Sequence, residues 1–355
     1  MISPWQQTFS FFRTMPPEQL SLFPDADAVD PAAVDPAVAR IAAVLPPRIH
    51  LGTSSWSFPG WTGLVYAPQG VRLPTEQSLA RKGLAAYAAH PLFRTVSLDR
   101  TFYAPLSADE FARYAAQVPA HFRFVVKAPA AITDPAIRRP ASGETSGENP
   151  SFLDATAAAA AFVRPAVAGL GHRAGPLVFQ FPPLGRRLLA DIPRLAARIA
   201  ALFAVLPRGP LYAVEIRDPD LACPAFADLL ARAGAVPCLA VHARMPPVTE
   251  QAERLGLLRP ECRHPLVVRW NLHAGHDYEA AKAAYFPFNR LVEEDTASRA
   301  ALARLARAAA ASDRDVFITI NNKAEGSAPV SVEKLAAAIV IGTTPTSERL
   351  LTSTD

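Results

Sequence analysis

The sequence predicts a (β/α)8 barrel, and three observations carry that prediction. Eight short runs rich in β-branched and aromatic residues recur along the chain. Each is followed by an alanine-rich stretch whose apolar residues repeat with helical period. The turn after the first run, from Ser54 to Trp61, lacks the glycine spacing that a doubly wound nucleotide-binding sheet carries there. Eight parallel strands joined by right-handed helical crossovers close into a ring.

Residues 1–47 are dominated by proline, alanine and aspartate, hold no long apolar period, and read as a largely disordered extension. The barrel domain is expected over 48–345, followed by a tail at 346–355. Its strands are expected at 49–54, 94–99, 122–127, 177–181, 211–217, 236–242, 265–271 and 315–321. Helical patterns lie at 75–89, 107–117, 151–170, 187–205, 220–233, 248–257, 296–311 and 330–341, several opened by Ser, Thr, Asp or Pro. The stretch 130–150, rich in Pro, Ser, Gly and Glu, is too long for an ordinary connection and reads as a mobile lid.

Composition narrows the classes of function. Half of the 355 residues are hydrophobic and 19% are charged, which suits a large packed core and excludes wholesale disorder. No apolar run approaches the roughly 18 residues of a membrane span. The start lacks the basic, apolar and small-residue pattern of an export signal, so a cytoplasmic protein without membrane contact is expected. Cys223, Cys238 and Cys262 are odd in number and lack metal-ligand spacing, which predicts reduced thiols. The net charge is +4, but the 36 basic residues are scattered and form no block able to neutralise a run of phosphates.

Strand parity points to a site. Barrel strands are buried on both faces, so polar residues of lumen parity are informative. Ala213, Glu215 and Arg217 share the lumen parity of the fifth strand. Lys127 ends the third strand with the same parity, Gln180 the fourth, His242 the sixth, Arg269 and Asn271 the seventh, and Asn321 the eighth. In this fold the carboxyl-terminal mouth is where active sites are built. Lys127, Arg217 and Arg269 set three positive charges against the Glu215 carboxylate, which predicts a small anionic or highly polar ligand. Mutual pairing of Glu215 with Arg217 or Arg269 is the plainer alternative. Glu215 is the favoured proton carrier, ahead of Asp99 on the second strand, with neighbouring arginines favouring its base form. His242 is a second candidate. His273 and His276, three apart, join Glu215 and His242 only weakly as metal ligands, because the other strand ends hold Lys, Arg, Gln and Asn. No metal and no cofactor are expected. Ser54 and Ser55 lack the glycine-flanked turn of a hydrolase nucleophile.

Several stretches together resemble the YecE-like family, a domain of unknown function with a (β/α)8 barrel. They are Gly52–Trp61, Thr101-Phe102-Tyr103, Phe122–Pro129, Gly175–Pro183, Ala213–Pro219 and Asn321-Asn322, and the resemblance spans residues 50–341. It implies that Trp56, Tyr103, Lys127, Gln180, Glu215, Arg217, Arg269 and Asn321 line a pocket, and it implies no reaction. The chain departs from the family on the second strand, where Ser97 and Asp99 stand in place of a glutamate and an asparagine. It departs again after Arg269, where Asn271 or His273 takes the place of the family's histidine.

One motif lies outside the barrel. Gln19, Leu20, Ser21, Leu22 and Phe23 resemble the peptide by which many bacterial replication and repair proteins dock on the DNA sliding clamp. The same apolar residues would equally cap the barrel's amino-terminal end or pack with Phe9, Phe11 and Phe12. The expected function is therefore a barrel enzyme that binds an anionic, phosphorylated or nucleotide-like ligand. Glu215 serves it as acid or base and Trp56 and Tyr103 as walls. The alternative is a non-catalytic nucleotide- or DNA-end-binding module recruited through the Gln19–Phe23 peptide.

Overall fold

The computed structural model describes residues 29–68, 73–138, 144–273 and 276–342. The Gln19–Phe23 peptide and the tail at 346–355 lie outside the described residues. Eight parallel strands form a closed barrel: β1 (Ile49–Thr53), β2 (Phe93–Leu98), β3 (Arg123–Lys127), β4 (Ala174–Gln180), β5 (Tyr212–Glu215), β6 (Ala235–Val241), β7 (Leu266–Trp270) and β8 (Val316–Ile320). The ring is sealed by β8 against β1, with Ile49 opposite Val316 and Thr53 opposite Ile320. Every strand lies within three residues of its predicted ends.

The strands are apolar at both parities because each parity has its own core. Val125, Val178, Ala213, Val236, Cys238, Val267 and Phe317 pack inside the lumen. Val126, Phe179, Val214, Leu239, Val268 and Ile318 face the surrounding helices. At the amino-terminal end His50 stacks on Phe317 at 4.7 Å, and burial pushes its imidazole down to about 4, so it sits there neutral. The first two strands approach closely at Gly52, where a Cβ would fall 1.8 Å from the Thr95 carbonyl oxygen. Only glycine fits that contact.

The eight helical patterns all appear, the longest as Ile192–Val205, Thr296–Ala311 and Ala328–Ile341. Two further helices of eight residues or more, among the described residues, were not expected. Tyr278–Tyr285 is started by the Asp277 side chain, which accepts from the Ala280 N–H. Pro36–Val44 lies within the segment read as an extension, capped by Asp35 and opened by a proline at its first position. Tertiary contacts hold this second helix. The Arg94 guanidinium donates to the carbonyls of Ala42 and Leu45 at its end and of Pro46 and Ile49 just beyond. Four carbonyl acceptors from one turn and its exit are thereby satisfied, which composition alone does not show.

The 130–150 insertion holds a short helix, Ala130–Thr133, and an antiparallel pair, Ala136–Arg138 with Thr145–Glu148. Its base is tied down by the Asn149 amide, which donates to the carbonyls of Ala131 and Asp134. The three cysteines are free thiols. Among the described residues no helix is long and apolar enough to cross a membrane.

Candidate functional site

At the carboxyl-terminal end of the lumen, strand parity delivers a connected set of charges. Glu215 at the end of β5 is completely buried. Its Oε2 accepts from Arg269 Nη1 at 2.8 Å, while Oε1 meets the Arg217 guanidinium and accepts from Asn271 Nδ2 at 3.0 Å. Arg269 reaches further, its Nη2 donating to Asp99 Oδ2 at 2.8 Å and Oδ1 at 3.0 Å. Ser97 Oγ in turn donates to Asp99 Oδ1 at 2.6 Å. Burial alone would raise the Glu215 carboxyl; Arg217 and Arg269 outweigh it and hold the group down at about 2. A carboxylate so deeply ionised, with both oxygens engaged, anchors its neighbours and is poorly suited to exchanging protons near neutrality.

The charge balance read from the sequence needs one correction. Asp99 is bonded into the set, so Lys127, Arg217 and Arg269 face two carboxylates and one positive charge is left over. That surplus resides on Lys127. Its Nζ sits 3.6 Å from the centre of the Phe102 ring, and among the described residues the ammonium has neither ion pair nor hydrogen bond. Burial pushes it down to about 8, with Asp99 opposing and Arg269 reinforcing the shift. The ring face stabilises the cation without using its donors, which remain available.

The other expected residues divide. His242, half-buried after β6, is pushed down to about 4 by burial and by Arg217, and its Nδ1 accepts from the Arg244 N–H at 3.1 Å. A neutral ring accepting at Nδ1 carries its proton on Nε2. Gln180 is half-buried at the end of β4, in register with Glu215, and its amide has no hydrogen-bond partner among the described residues. Asn321 is engaged structurally. Its Nδ2 donates to Ser54 Oγ at 2.8 Å and its Oδ1 accepts from the Lys323 N–H at 3.0 Å, tying the loop after β8 to that after β1.

Trp56 and Tyr103 differ in their surroundings. Trp56 is buried, donates from Nε1 to the Leu79 carbonyl and meets Tyr114 edge-on at 5.6 Å. It lines a cavity of about 560 Å³ beside the first two strands that also reaches Ser54, Ser97, Asp99 and Tyr114. Tyr103 is 85% exposed at the rim, edge-on to Phe102.

Phe102, Lys323 and Glu293 were not singled out as site residues by the sequence. Phe102 supports Lys127, and its signal was its place beside Tyr103, three residues past Asp99. Lys323, pushed down to about 8 mainly by burial, lies 3.9 Å over the Tyr278 ring. His273 and His276 gather with Glu293 and not with Glu215 or His242: among the described residues these three form the one group of side chains spaced to hold a metal.

A sequence-family model described as "Protein of unknown function DUF72" matches residues 50–351. Solved structures of DUF72 family proteins share the fold. One from Thermotoga maritima superposes with a TM-score of 0.55 at 19% identity, covering 81% of this chain and 98% of that one. Another, from Enterococcus faecalis, gives 0.53 at 18% identity, covering 82% of this chain and 95% of that one. No curated protein matches the chain.

Proposed function

The chain belongs to the DUF72 family, the YecE-like barrel proteins, and from that premise we propose a bacterial cytoplasmic enzyme that binds a small phosphate-bearing anion at its barrel mouth and moves a proton there through Lys127. One observation carries this reading: the Lys127 ammonium is the surplus charge of the mouth, with its donors unspent among the described residues. A compact ammonium of this kind meets a phosphate as a point charge. Held at about 8, it is mostly protonated at neutral pH yet close enough to neutrality to serve as acid or base.

Glu215, expected from the sequence as the acid or base, takes a positioning role in this proposal, because Arg217, Arg269 and Asn271 occupy its oxygens. His242 offers a neutral Nε2–H as a second donor, and Gln180 an amide with no partner among the described residues. Asn321 shapes the rim through Ser54, while Trp56 and Asp99 border the adjoining cavity.

Calorimetric titration of the full chain with inorganic phosphate and with phosphate monoesters tests the reading. Lys127→Met should cost about 1.5–3 kcal/mol of affinity, roughly 10- to 150-fold, the worth of a charge-assisted hydrogen bond. Equal affinity in wild type and variant would overturn it.

A second reading is favoured by the peptide Gln19-Leu20-Ser21-Leu22-Phe23 ahead of the barrel. In it the barrel is a non-catalytic nucleotide- or DNA-end-binding module, docked on the sliding clamp by the Gln19 amide and the apolar Leu20, Leu22 and Phe23. A peptide spanning 15–28 should then bind the clamp at high micromolar concentration and lose binding on Leu22→Ala with Phe23→Ala.

A further inference from the structure

The loop that leaves β7 and the segment that enters the helix Thr296–Ala311 bring together three side chains that the mouth chemistry does not use. His276 Nε2 lies 2.8 Å from Glu293 Oε2, and His273 Nε2 lies 3.8 Å from Glu293 Oε1. One ligand atom from each of the three falls within 4.8 Å of the others. The two imidazoles are 5.2 Å apart and inclined by 71°, so they converge on the carboxylate instead of stacking on each other. Four-coordinate zinc, with ligand bonds of about 2.0–2.2 Å, sets neighbouring donors about 3.4 Å apart. The observed spacings bracket that value, so small side-chain rotations suffice.

The donors are also held in place. The N–H groups of Val292 and Glu293 both donate to the Glu325 carbonyl, and the His273 N–H donates to the Lys323 carbonyl, fixing both segments to the loop after β8. Tyr285 Oη donates to Glu293 Oε2 at 3.1 Å and orients the carboxylate, the part that outer partners play at metal centres. An ordinary surface ion pair needs one histidine and no such bracing.

We propose that His273, His276 and Glu293 form a binding site for a divalent transition-metal ion, zinc suiting the donor set, with a coordination position left for water or a ligand atom. Two imidazole nitrogens and one carboxylate oxygen are borderline donors, which favour zinc over magnesium or calcium. The site stands on its own residues, two positions beyond Asn271 along the chain, and does not depend on Lys127 or on phosphate binding.

Chelator-stripped full-length protein should take up one equivalent of Zn2+ in competition with a chromophoric chelator, and Co2+ should give the visible absorption of a low-coordinate site. His276→Ala and Glu293→Gln should each weaken Zn2+ binding by about 100-fold or more, and Tyr285→Phe, which keeps all three ligands, by about tenfold. Should a ligand variant fail to fold, crystals of wild type grown with zinc decide the matter. An anomalous peak at the zinc edge between the three side chains supports the proposal. A peak at other residues, affinity unchanged in the ligand variants, or no stoichiometric uptake would overturn it.

Discussion

Glu215 and Lys127 occupy one mouth and answer opposite physical demands. Glu215 is wholly enclosed and bonded by two guanidinium groups, so removing its charge takes the carboxylate from Arg217 and leaves Arg269 with Asp99 alone. Glu215→Gln should destabilise the fold by about 3–5 kcal/mol, measured by denaturant titration, because the buried Arg217 loses its carboxylate and Arg269 one of its two. Lys127 is held below its ordinary value of 10.5, at about 8, so the anion affinity proposed for it should fall as pH rises through that value. Calorimetry across pH 7 to 10 should show the decline in wild type and its absence in Lys127→Met, roughly the range where a residue with that value titrates. Both residues were legible in the sequence, because a charge at lumen parity stands out on an otherwise apolar strand. Asp99 was visible on its strand, but its bond to Arg269 crosses from β2 to β7 and no local pattern encodes it. Glu293 was hidden more deeply, since its partnership with His273 and His276 joins two loops around an unforeseen helix.

Among the elements, the strands were legible to within three residues because a buried parallel strand needs apolar residues at both parities. Close approaches between strands were not. At Gly52 the register of β1 against β2 shifts, and the Thr95 carbonyl occupies the space of a side chain. Gly52→Ala should therefore cost at least the roughly 1–3 kcal/mol of an overpacked core, read as a lowered thermal midpoint. The helix Pro36–Val44 was missed because nothing in its proline- and alanine-rich surroundings announces the Arg94 side chain that receives its end. Arg94→Met keeps the apolar stem and removes the donors, so limited proteolysis should then cut within 29–47 faster than in wild type, with the barrel left intact.

For the whole molecule, acid should act through the mouth. The Glu215 carboxyl is held at about 2 against an ordinary 4.5, so its contribution to stability is complete above the ordinary value and is lost as pH falls from there toward 2. Lys127 works in the opposite sense: while protonated, below about 8, its buried charge costs stability, and the cost is relieved as pH rises toward 10.5. Urea denaturation between pH 5 and 2 should show stability falling in wild type and a much shallower fall in Glu215→Gln. The ring itself was predictable by counting, since eight strand–helix units have one familiar way to close. Which charges meet across the opening was predictable only as a set of candidates, because side-chain reach between distant strands is set by the closed geometry. Arg269 shows what that reach implies. A single planar cation contributed by the seventh strand satisfies acids contributed by the second and the fifth. A ribosome-bound fragment ending short of β7 thus carries two anions with no guanidinium from that strand to bridge them. The upper layer of the barrel is completed late in synthesis, and a chain divided after β6 should need both pieces before either acquires a settled top.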